Sequence, residues 1–137
     1  MEAAGWVDCQ VERGDAAPDR KVFSVTEAGR AALEAWIAAP TEMETLRSAL
    51  MVKLRASAFG DPRSMLPTLR ERAAEHAAVL AAYQSFAARD ASFPQTTQRA
   101  LQLHVLKFGL AYEQLVLDWI AGAEALITNL PPPDRSA

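Results

Sequence analysis

Apolar and polar positions alternate along Trp6-Val7-Asp8-Cys9-Gln10-Val11-Glu12-Arg13 and again over residues 21–25, Lys21-Val22-Phe23-Ser24-Val25. Aromatic and β-branched residues at a period of two suit half-buried strands. Between the runs lies Gly14-Asp15-Ala16-Ala17-Pro18-Asp19, whose composition favours a turn. Pro18 cannot donate to a ladder and belongs in the loop. The pattern predicts a β-hairpin. The period then lengthens to that of a helix. Thr26 is an N-cap, Glu27 puts an acid in the first turn, and Leu33, Trp36 and Ile37 share one face. Gly29 costs a helix about 1 kcal/mol against Ala, so its presence points to close packing or a tight entry. Pro40 ends the helix after Ala38-Ala39.

Three further helices follow. Residues 41–58 suit the first, with Thr41 as N-cap and Met43, Leu46, Leu50 and Leu54 as its stripe. Phe59-Gly60-Asp61-Pro62 breaks it and starts the next, over 62–89, whose opening turns are irregular because they contain Pro67. Asp90 to Thr97, with Pro94, is a short loop. The last helix runs from about Thr97 to Asn129 and carries two apolar stripes. Leu101, Val105, Phe108, Tyr112, Leu115, Trp119, Gly122 and Leu126 follow a heptad seam. Leu103, Leu106, Leu110, Leu117, Ile120 and Ile127 lie on another side. A helix with two apolar sides must be covered on both, and the simplest cover for the second is another copy of the chain. Leu130-Pro131-Pro132-Pro133 stops the helix, and residues 131–137 read as a disordered tail.

Composition narrows the class. The 137 residues are one domain's worth, half of them hydrophobic. The single Cys9 excludes an internal disulfide and fits a reducing, cytoplasmic setting. No signal peptide opens the sequence and no apolar run is long enough to span a bilayer, so no membrane partner is expected. The net charge is −3. Residues 1–40 hold four basic residues (Arg13, Arg20, Lys21, Arg30) against seven acids, so even the hairpin region is acidic and poorly suited to binding nucleic acid unaided.

The chain resembles the PadR family of bacterial transcriptional regulators, in the larger form with a long C-terminal helical domain. The resemblance is carried by Glu2-Ala3-Ala4-Gly5-Trp6-Val7, by residues 20–29 (Arg20-Lys21-Val22-Phe23-Ser24-Val25-Thr26-Glu27-Ala28-Gly29), and by Leu33 with Trp36-Ile37. Leu50-Met51-Val52-Lys53-Leu54 and Asp118-Trp119-Ile120 extend it. The hairpin portion also resembles MarR-type regulators; the helices after it favour PadR. The resemblance implies a mainly α fold, in which the wing of a winged helix, a β-hairpin, is followed by a long-helix C-terminal dimerisation domain. It assigns residues 1–39 to the end of a recognition helix, the wing and the helix after it, and 40–130 to the dimerisation domain. It further implies a cytoplasmic homodimer that represses by binding palindromic operator DNA and is released by a small aromatic effector. The helices expected before the wing are missing from the sequence, which reads as the back end of a longer regulator. Bases are read by the recognition helix while the wing touches backbone, so sequence-specific binding by this chain alone is not expected. A helical module that only dimerises or binds a small molecule is the alternative.

The candidate residues follow. Arg13, Arg20 and Lys21 flank the wing loop, either as phosphate contacts or as solvated charges beside Asp15 and Asp19. Leu101, Val105, Phe108, Tyr112, Leu115, Trp119 and Leu126 are the dimerisation seam. Trp36, Tyr112 and Trp119 are candidate effector contacts near the junction of wing helix and helical domain, although aromatics at heptad spacing serve equally as core. His76 and His104 have no ligand partner at metal-binding spacing and read as helix-face residues. Cys9 reads as a strand residue beside Asp8 and not as a redox thiol. No nucleophile elbow, phosphate loop or HExxH is present, and neither an enzyme nor a cofactor is expected.

Overall fold

The computed structural model describes residues 1–13 and 20–131. The expected turn at 14–19 and the tail at 132–137 lie outside the described residues. The contacts divide the chain into two compact units, Met1–Leu46 and Arg47–Ala137.

In the first unit a single 3₁₀ turn, Glu2–Ala4, leads through Gly5 into β1 (Val7–Glu12), which pairs antiparallel with β2 (Arg20–Val25). The register runs from Val7 opposite Val25, through Cys9 opposite Phe23, to Glu12 opposite Arg20. Thr26 joins the hairpin to α1 (Glu27–Ala38). Its Oγ1 accepts from Gly29 N at 3.0 Å and donates to Gly5 O at 2.7 Å, while its amide donates to Trp6 O at 3.1 Å. Gly5 takes φ of +67°, a left-handed conformation that suits glycine. Gly29 is needed for a different reason. A Cβ there would stand 2.1 Å from Trp6 O. The helix start and the strand entry touch through backbone, which answers the close packing expected of this glycine. It is also the only buried position among the described residues of this unit.

The helix expected from Thr41, whose range runs from the end of the first unit into the second, is not formed. Residues 41–48 are irregular, and α2 (Ala49–Ala56) starts at Ser48, whose Oγ accepts from Met51 N. Met43 and Leu46 have helical spacing but stay exposed, and a segment that buries no face gains little from spacing alone. After a 3₁₀ turn and Gly60, Asp61 caps a second 3₁₀ turn, Pro62–Met65, accepting from Arg63 N at 3.0 Å. That turn is the irregular start expected around the prolines. α3 (Leu66–Asp90) and α4 (Thr97–Asn129) then form an antiparallel pair around the Pro94 loop. Thr96 caps α4 by accepting from Arg99 N, and Arg63 Nη2 donates to Leu130 O at 2.7 Å, closing its far end. Thirty-three residues at 1.5 Å each make α4 about 50 Å long.

The core lies where the start of α3 meets the end of α4. Met65, Leu69, Ile120, Ala123 and Ile127 are buried, with Leu50, Leu54, Leu66, Ala73, Val116 and Trp119 packed around them. Leu69 has no exposed surface. Leu69→Ala is expected to cost about 3 kcal/mol, read as a lower urea midpoint followed by circular dichroism.

Candidate functional sites

The two stripes of α4 have different surroundings. Ile120 and Ile127 are buried, and Leu103, Leu106, Leu110 and Leu117 are half-buried; this stripe belongs to the chain's own core side. The seam stripe faces outward. Leu101, Val105, Phe108, Leu115 and Leu126 are exposed, Phe108 by 72% and Leu115 by 65%, and Tyr112 lies at the edge of exposure. Trp119 departs from its seam neighbours: it is half-buried and packs on the core. An apolar row of this length is unusual on the surface of a soluble monomer.

Arg13, Arg20 and Lys21 are exposed at the loop end of the hairpin. Arg20 Nη2 lies 3.4 Å from Glu12 Oε2 across the two strands. Both side chains are open to solvent, so the pair is worth little and either partner can exchange it for another contact. The geometry allows backbone phosphate contacts. Cys9 is half-buried on β1.

Of the three candidate effector contacts, Trp36 is exposed on α1 in the first unit. Tyr112 lines a groove beside α4 together with Tyr83, Gln102, Phe108, Gly109 and Glu113. Trp119, seven residues on, is not part of that groove. Phe59 stands exposed after α2.

The sequence did not single out Glu113. It is buried, with 7% of its surface exposed, and no other charged residue among those described is buried. Its Oε2 lies 2.5 Å from His76 Nδ1 on α3. His76 is therefore half-buried and paired across the helices, unlike the plain helix-face histidine expected. His104 is exposed. Among the described residues no three His, Cys, Asp or Glu side chains converge as a metal site, and no helix is long and apolar enough to cross a membrane.

Comparisons with known proteins agree with this architecture. Residues 46–128 match the family model described as "Virulence activator alpha C-term". A "Probable transcriptional regulator" of Mycobacterium tuberculosis is 29% identical over 92% of this chain and 74% of its own length. The structure of the Vibrio cholerae virulence activator AphA superposes with a TM-score of 0.76 at 28% identity, covering 93% of this chain and 72% of that one. Bacillus subtilis PadR, in complex with operator DNA, gives 0.74 at 16% identity over 92% of this chain and 72% of its own. The same protein in complex with p-coumaric acid gives 0.71 at 17% identity, with 93% and 72% covered. The PadR likeness is one of fold. The relatives of 28–29% identity are a probable transcriptional regulator and a virulence activator. With 83 of its 137 residues matched, the chain belongs to the virulence activator alpha C-terminal family.

Proposed function

We propose that this chain is the wing and C-terminal helical part of a PadR-like transcriptional regulator that acts on operator DNA as a homodimer. The observation that carries the proposal is the exposed seam of α4, attached in the same chain to a wing-type hairpin running into a Thr-capped helix. The seam keeps one side of a long helix, so the same patch on two copies can meet about a two-fold axis. Pairing of this kind brings two wings to one stretch of DNA, where exposed Arg13, Arg20 and Lys21 serve as phosphate contacts. The recognition helix that reads bases is not among the described elements, and the relatives extend beyond the part this chain covers. In this reading it is supplied by residues outside the 137. A small aromatic effector shifts the dimer's geometry and so its grip on DNA.

Repression is the mode of action that the PadR resemblance implies. Activation is favoured by a different observation, the family match and the 28% identity to a virulence activator. A reporter gene behind the regulator's own promoter separates them by whether expression rises or falls when the gene is deleted.

The chain as it stands is expected to bind DNA only weakly and without sequence preference, with Kd above about 1 μM at physiological salt, given a net charge of −3 and no base-reading helix. A gel shift with residues 1–137 tests this. The same chain joined to the protein segment encoded directly upstream of its Met1 codon is expected to select an inverted repeat near its own gene. Tight, selective binding by residues 1–137 alone would overturn the assignment of base reading to a helix outside them. Failure of the extended protein to bind any inverted repeat would leave the dimerisation-module reading.

A further inference from the structure

The groove beside the middle of α4 has a volume of about 500 Å³, within the range that holds small-molecule ligands. Three of its lining side chains are aromatic: Tyr83 from α3, and Phe108 and Tyr112 from α4. Its one charged lining residue is Glu113. Gly109 makes the room. A Cβ at Gly109 would stand 2.8 Å from Tyr83 Cε2, so any larger residue would displace that ring.

Glu113 is an unusual residue to find there. A carboxylate held largely out of water is stabilised by hydrogen-bond donors. His76 supplies one, to Oε2. Oε1 has no hydrogen-bond partner among the described residues and is not sealed from solvent, so it is open to a donor in a groove that three aromatic rings line in part. Aromatic faces carry negative potential, and together with a carboxylate they select cations over neutral or anionic molecules of the same shape.

We propose that this groove binds a small aromatic organic cation, held by Glu113 through an N–H donor and stacked against Tyr83, Phe108 and Tyr112. Charge complementarity fixes the class of occupant: no basic side chain lines the groove to receive an acid. Phe108 and Tyr112 also belong to the seam assigned to self-association. As the regulator's effector site the groove rests on the reading above; as a cation site it is tested on its own.

Benzamidinium is the probe, with benzoate as an anion of similar shape and benzyl alcohol as a neutral one. Each is titrated into the ¹⁵N-labelled chain while the Gly109 and Gln102 amide signals are followed. Saturable shifts are expected with benzamidinium and not with the other two. Glu113→Gln, which keeps the shape and removes the charge, is expected to weaken binding about tenfold or more. Gly109→Ala, which moves the Tyr83 ring, is expected to weaken it by a similar factor and serves as the deciding variant if Glu113→Gln does not fold. Absence of saturable shifts, equal affinity for benzyl alcohol, or undiminished binding by the folded variants would overturn the proposal. Binding by a Leu115→Glu monomer but not by the wild-type dimer would also overturn it, because a second copy would then be the occupant. An upstream-extended protein that binds benzamidinium but selects no inverted repeat would sink the regulator reading and leave the cation site standing.

Discussion

Leu115→Glu is expected to convert the proposed homodimer into a monomer. Leu115 is 65% exposed in the single chain and sits on the outward stripe of α4, so a charge there costs the isolated fold little. Glu and Leu also have similar helix propensities. In an apolar interface the same carboxylate would be buried without a partner, which is among the more costly single changes available. The dissociation constant of the pair is expected to rise by about a hundredfold or more, while the helical circular dichroism spectrum stays unchanged. Sedimentation velocity reads the first effect. A variant that sediments as the wild type does would remove the seam from the interface and with it the reason for placing two wings together.

Gly29→Ala is expected to release the wing from α1. The added methyl meets the carbonyl oxygen of Trp6, a backbone atom that already accepts from the Thr26 amide. A flexible side chain can swing away from such a clash, but strand backbone has to move as a whole. The cost is about 3 kcal/mol, at the upper end for overpacking. Hydrogen exchange should show it as about a hundredfold loss of protection for the Thr26 amide, which donates to Trp6 O where strand entry meets helix start, with α3 and α4 unaffected. Unchanged protection of that amide would mean that the contact with Trp6 is not what holds strand and helix together.

Much of this architecture was legible because local signals agreed. For α4, the heptad spacing and the Leu130-Pro131 stop specify the helix over its whole length. The hairpin, the Thr26 cap and the closeness required by Gly29 were likewise set by short-range chemistry. The segment 41–48 was not legible, because Met43 and Leu46 repeat at helical spacing but have nothing to cover them, and Ser48 offers a competing start. Nor did the spacing say which stripe of α4 faces outward. That depends on how α3 lies against it, and the same contact draws Trp119 out of the seam and into the core. The pairing of His76 with Glu113 was hidden by sequence distance. Its signal was indirect: the two residues stand nearly equally far on either side of the Pro94 loop, which places them opposite each other once α3 and α4 fold back as a pair.

Self-association through the outward stripe of α4 is the claim on which the proposed function turns, and the mass of the unmodified chain in solution tests it most directly. Light scattering at micromolar concentration should give twice the 14.9 kDa of one chain. A mass of 14.9 kDa under those conditions would contradict the account, leaving α4's apolar row without the second copy proposed for it.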